Sequence, residues 1–168
     1  IDRLELTNLP DASTVVAALL SGSIDVATRI PPHKVKEAKE RGLTVVIAPS
    51  LGARNISINR NKRPFDNPKV VEAFRYAFDR KEFVQIANRG LGSTVHQPFP
   101  PSYFAFDPEI EKLWPYDPER ARALLQEAGY KPGELSVEIA SNPIIPDGVE
   151  EIAQAQLTRI GVKTKIHI

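Results

Sequence analysis

A chain of 168 residues with 42% apolar and 26% charged side chains has the size of one domain, or of one domain with part of another, and buries roughly 70% of its unfolded surface without a metal or disulfide staple. Its 22 basic and 21 acidic side chains are well mixed and leave a formal charge of +1, which argues against a nucleic-acid surface or an anionic-membrane patch, since both need clustered basic charge. With no cysteine, structural disulfides, iron–sulfur clusters, thiolate zinc sites and a cysteine nucleophile are excluded.

In chain order, Leu4, Leu6 and Leu9 sit among Glu5, Thr7 and Asn8 as an imperfect strand pattern. Asp11 and Ser13 offer N-caps to a helix whose apolar face is Ala12, Val15, Val16, Leu19 and Leu20, with Gly22 as its stop. Ile24 to Ala27 reads as a short buried strand. Pro31 and Pro32 open a charged helix running to about Arg41, and Leu43 to Ala48 reads as a second buried strand. The order β-α-β-α-β suggests an α/β layer.

Residues 54–59 alternate around Ile56 and Ile58 and read as a strand. After a polar turn through Arg63, Pro64 and Asp66, Asn67 caps a helix with Pro68 at its first position, where a missing N–H costs nothing. Val70, Val71, Ala73, Phe74, Ala77 and Phe78 form its apolar stripe. Asp79-Arg80 breaks the pattern, and a second helix covers about Lys81 to Arg89. Residues 91–116 hold Pro98, Pro100 and Pro101 with Phe99, Tyr103, Phe104, Phe106, Trp114 and Tyr116. A loop of that length is functional or packed down by its own rings. Asp117-Pro118 opens a helix with Ala121, Leu124, Leu125 and Ala128 inward. Leu135, Val137 and Ile139 alternate as a half-buried strand. Asp147 and Glu150 have capping-box spacing ahead of a helix carrying Val149, Ile152, Ala153, Leu157 and Ile160. Val162, Thr164, Ile166 and Ile168 mark a last strand. Both ends, at Ile1 and Ile168, read as cut.

The chain offers little chemistry. His33, His96 and His167 lie far apart in the sequence, so no metal set is legible. No serine sits in a G-x-S-x-G setting. Gly90-Leu91-Gly92-Ser93-Thr94 lacks the lysine and third glycine of a phosphate loop and follows a helix where that motif needs a strand. His96 lies in the aromatic loop, where a ligand contact or plain loop packing would each account for it. The expectation is no catalytic residue, no metal, no cofactor and no enzyme; an α/β enzyme would need an acid–base constellation that is not legible. No apolar run approaches the ~18 residues of a membrane-spanning helix, which leaves a place at the membrane periphery at most.

The run INRNKRPFDNPKVVEAFRYAFDR, closing on Asp79-Arg80, resembles the signature of the family 5 bacterial extracellular solute-binding proteins. Further matches follow in order: PDASTVVAALLSGSIDVA at 10–27 and Pro32 upstream, then GLGSTVHQPFPP at 90–101, YDPERARALLQEAGY at 116–130 and AQLTRIGVKTKI at 155–166. One departure is Val71, where the family often carries arginine.

The resemblance implies a mixed α/β, periplasmic-binding-protein-like fold of type II, here in part. Residues 1–52 would end lobe one, 53–168 would build much of lobe two, and the chain near 54–59 would cross the hinge. It implies a periplasmic or extracellular protein, lipid-anchored in a Gram-positive organism, with an export signal outside this stretch. That protein would bind a peptide or other small molecule for the permease subunits of an ABC transporter. The family handles peptides, nickel complexes, haem, opines and oligosaccharides. By position the cleft candidates are Thr28, Arg29, Ile30, Arg54, Asn55 and Asn142, with His96 added from the aromatic loop. Arg29 and Arg54 would suit a carboxylate. The same fold also serves as the ligand-sensing part of some transcription regulators. A helix-turn-helix ahead of Ile1 would mark that alternative, a signal peptide the importer.

Overall fold

The computed structural model describes residues 2–9, 11–28, 30–48, 52–141 and 148–167. The chain forms two compact units, Ile1–Ala48 and Pro49–Ile168. The division falls a few residues before the expected boundary at 52.

The first unit holds helices α1 (Ala12–Ser21) and α2 (Pro32–Glu40). Asp11 caps α1 by accepting from Thr14 N at 2.6 Å and from Thr14 Oγ1 at 2.8 Å. Gly22, at φ 72, ends it in the left-handed conformation that glycine adopts without a Cβ clash. Pro32 opens α2 as expected. Val16 and Ala38 are the buried apolar residues described here.

The strands expected at 4–9, 24–27 and 43–48 are not formed, so the β-α-β-α-β order reduces to two helices with connecting chain. Leu4, Leu6, Val26, Val46 and Ile47 lie exposed. The strand expected at 54–59 is likewise not formed, and Ile56 is exposed. An apolar alternation reports which faces want burial. A strand needs in addition a neighbour for its backbone N–H and C=O groups, and no such neighbour stands beside these segments among the described residues.

The second unit carries α3 (Pro68–Ala77), α4 (Arg80–Ile86), a 3₁₀ turn at Ile110–Lys112, α5 (Pro118–Glu127), β1 (Ser136–Ala140), α6 (Val149–Arg159) and β2 (Lys163–His167). Asn67 and Asp117 cap α3 and α5 through Lys69 N and Arg120 N, each with proline at the first helical position. The two helices pack through Val70, Ala73, Phe74, Ala77, Ala121 and Leu124. Tyr76 O accepts from Asp117 N at 2.9 Å, and Lys69 Nζ meets Glu127 at 2.9 Å. Phe65, Phe74, Phe78 and Phe83 form a chain of edge-to-face rings with centroids 5.0 to 6.2 Å apart, which adds specific geometry to the area they bury.

Strands β1 and β2 pair in parallel, from Ser136 opposite Lys163 to Ala140 opposite His167, with α6 as the crossover. Parallel neighbours need such a crossover because a hairpin turn cannot join them. Val137, Ala153, Leu157, Ile160 and Val162 close the core around it. Gly161, at φ 81, would bring a Cβ within 3.1 Å of Pro132 Cα, so a side chain there would strain both the backbone and its neighbour. The N-cap of α6 is Gly148, with no side-chain cap; the expected cap Asp147 lies outside the described residues. The second unit's other helix, expected to run to Arg89, stops at Ile86.

Candidate functional site

Thr28 is exposed and Ile30 half-buried, between α1 and α2 of the first unit. Arg54 and Asn55 are exposed in the chain leading to α3, and Asn55 Oδ1 accepts from Ser57 Oγ at 3.1 Å. Arg29 and Asn142 lie outside the described residues. Within the second unit the hydrogen bonds of His96 go to Glu111 and Leu113, not to Arg54 or Asn55.

His96 belongs to a clamp that closes the aromatic loop. Its backbone N–H donates to both carboxylate oxygens of Glu111, at 2.9 and 3.1 Å. Its Nδ1 lies 2.7 Å from Leu113 O; a carbonyl only accepts, so Nδ1 carries the proton. Gln97, 7% exposed, donates from Nε2 to Asp107 O at 2.7 Å and to Glu111 Oε1 at 3.0 Å, and accepts from Asp107 N at 3.0 Å. Arg80 stands behind this clamp, its guanidinium partly desolvated and pushed below its usual basicity by burial, with the charge of Glu111 opposing the shift. Outside the clamp the loop carries Phe99 stacked on Tyr103 at 5.2 Å and Phe104 tilted against it at 4.6 Å; Phe104 is 90% exposed.

A second polar joint ties α6 to the α3–α4 corner. Gln156, fully buried, accepts from Asp79 N at 2.9 Å and donates to Asp79 O at 3.2 Å and Glu82 Oε2 at 2.8 Å. Arg159 meets Glu82 with both nitrogens, at 2.7 and 2.8 Å. The hydrogen bond from Arg159 holds the Glu82 carboxyl below its ordinary value, and Glu82 in turn raises Arg159. Asp79-Arg80 thus serves as a structural corner: Asp79 caps α4 through Lys81 N while its backbone is held by Gln156.

A groove of about 350 Å³ runs beside α3, lined by Arg60, Pro68, Val71, Glu72, Arg75 and Trp114. The Arg75 guanidinium stacks 4.1 Å above the indole. Among the described residues no group of three His, Asp or Glu could hold a metal ion, and no helix is long and apolar enough to cross a membrane.

Sequence reading placed His96 in the right loop but missed Gln97, Glu111 and Gln156. For Gln156 a signal existed: it lies four residues after Ile152 and four before Ile160, on the apolar stripe of α6. A polar residue on such a stripe is buried and must find partners. Nothing comparable marks Gln97, whose partners are brought to it by loop closure.

Comparison with known proteins places these features in context. The family model "Bacterial extracellular solute-binding proteins, family 5 Middle" matches residues 1–168. The glutathione-binding protein GsiB of Salmonella typhimurium is 37% identical over 99% of this chain and 32% of its own length. Heme-binding protein A of Haemophilus influenzae is 34% identical over 98% of this chain and 31% of its own. Among solved structures, the periplasmic binding protein DppA of Helicobacter pylori, in complex with the peptide STSA, superposes with a TM-score of 0.82 at 28% identity, over 95% of this chain and 31% of that one. The chain therefore spans about a third of the length of the relatives it matches.

Proposed function

The chain belongs to the family 5 bacterial extracellular solute-binding proteins, and from that premise we propose that it is the middle part of the binding component of an ABC-type importer, which captures a small solute, a peptide foremost, and hands it to a membrane permease without chemical change. The observation that carries this reading is the family match along residues 1–168, joined to the likeness to a peptide-bound periplasmic protein. In this reading residues 1–52 end one lobe and 53–168 build much of the other. The protein works in the periplasm or at the cell exterior.

Hinge closure of two lobes is favoured only by contacts that the ligand makes with both. Thr28, Arg29 and Ile30 would reach the ligand from one lobe, and Arg54 and Asn55 from the crossing chain. Micromolar affinity needs about 8 kcal/mol net, within reach of a desolvated cleft holding a carboxylate on arginine. His96 contributes by holding the aromatic loop, since its Nδ1 and backbone N–H are engaged there. The exposed Leu4, Leu6, Val26, Val46, Ile47 and Ile56 support the same reading: in a longer protein these segments would pair as strands with chain outside residues 1–168.

The test is a thermal-shift screen of the intact protein against short peptides, glutathione, haem and sugars. A ligand present at a hundred times its Kd stabilises the folded state by about 2.7 kcal/mol, so a short peptide is expected to raise the melting midpoint. Arg29→Ala and Arg54→Ala are expected to weaken that peptide's binding. A screen in which no peptide shifts the midpoint discards the peptide assignment, and unchanged affinity in both variants removes the two arginines from the cleft.

A further inference from the structure

We propose that the groove beside α3 is a binding site for a small monocarboxylate with an apolar body. Arg60 and Arg75 both line it and are both exposed. Among the described residues neither guanidinium has a hydrogen-bond or ion-pair partner. Two unpaired guanidinium groups in one concavity repel each other and favour an anion between them. The flat face of Arg75 is taken by the Trp114 ring at 4.1 Å. That stacking sets the plane of the guanidinium and leaves its N–H edge available, and this edge is what arginine uses to take a carboxylate through two parallel hydrogen bonds.

The remaining lining defines the class of ligand. Glu72 sits in the wall, half-buried and one helical turn before Arg75, yet makes no ion pair among the described residues. Its carboxylate disfavours a dianion, so phosphate or a dicarboxylate fits less well than a single carboxylate. Pro68, buried Val71 and the indole provide apolar wall for the rest of the molecule. A volume of about 350 Å³ is in the lower part of the range of roughly 300–1,000 Å³ typical of small-ligand sites. Trp114 itself lies at φ 50, a conformation rare for a bulky residue. Such backbone outliers persist where the surroundings over-determine them, and they gather at ligand clamps. The site is defined by side chains between Arg60 and Trp114 alone, and it stands whether or not the importer reading holds.

The test is a titration of the intact protein with isocaproate. Trp114 is the one tryptophan of this chain, and the difference in emission between the wild type and Trp114→Phe isolates its signal from any other emitter; calorimetry gives the affinity. A saturable change is expected, with Arg75→Gln and Arg60→Gln each weakening binding about tenfold or more, as loss of a charge-assisted hydrogen bond does. Arg75→Lys, which keeps the charge and loses the fork, is expected to weaken it as well, and Glu72→Gln to tighten it. The uncharged isocaproamide should not bind. Far-UV circular dichroism checks that each exposed-residue variant is folded. No saturable response to isocaproate, equal binding of the amide, or unchanged affinity in the folded arginine variants overturns the site.

Discussion

Gln156 is a buried polar side chain whose hydrogen-bonding groups all find partners in the α3–α4 corner. It satisfies both the N–H and the C=O of Asp79 and adds a bond to Glu82. Truncation leaves the part-buried N–H and C=O of Asp79 without that partner and opens a cavity, while Glu82 keeps Arg159, so Gln156→Ala is expected to lower unfolding stability by about 2–4 kcal/mol, read from urea denaturation. The joint also titrates. Arg159 holds Glu82 below its ordinary 4.5, so near that pH the unfolded chain binds more protons than the folded one. Stability from this pair is fully present above 4.5 and is lost as the pH falls through the lower folded value. Glu82→Gln is therefore expected to be less stable at neutral pH and to lose less on acidification than the wild type, measured as the urea midpoint against pH.

At the scale of elements, the helices were the legible part. Asn67-Pro68 and Asp117-Pro118 announce α3 and α5 because capping and the proline constraint act within one turn and need nothing from the rest of the chain. The aromatic loop was legible as a loop, but its closure was not. Gln97 and Glu111 meet across 14 positions, a pairing that only the folded backbone creates. Gln97→Ala is expected to raise amide exchange through residues 96–113 by about tenfold or more while the global unfolding midpoint moves little, because the clamp governs a local opening rather than the core. Equal slowing of exchange in wild type and variant would remove Gln97 as the staple. The exposed Phe99–Tyr103–Phe104 stack would lose its fixed presentation in that variant.

For the whole molecule, the unpaired segments of the first unit carry the clearest consequence. If their partners belong to the rest of a longer protein, amides at 43–48 should exchange slowly in the intact protein and rapidly in residues 1–168 alone; fast exchange in both would refute the strand assignment. The sequence by itself determined every helix start with proline at its first position, the α3, α5 and α6 apolar stripes and the two strands β1 and β2, because these follow from local spacing and chain-local sterics, while its motifs carried the resemblance to the family; that β1 and β2 pair was decided by the fold. The tertiary structure alone decided that His96 works inside a loop clamp, that Asp79-Arg80 is a corner held by Gln156, and that Arg75 lies over Trp114. These are contacts between residues far apart in the chain, and no local pattern encodes a distance that folding has yet to set. The four expected strands that did not form make the same point from the other side: an apolar pattern specifies what seeks burial, but a ladder exists only where a second strand supplies the hydrogen bonds.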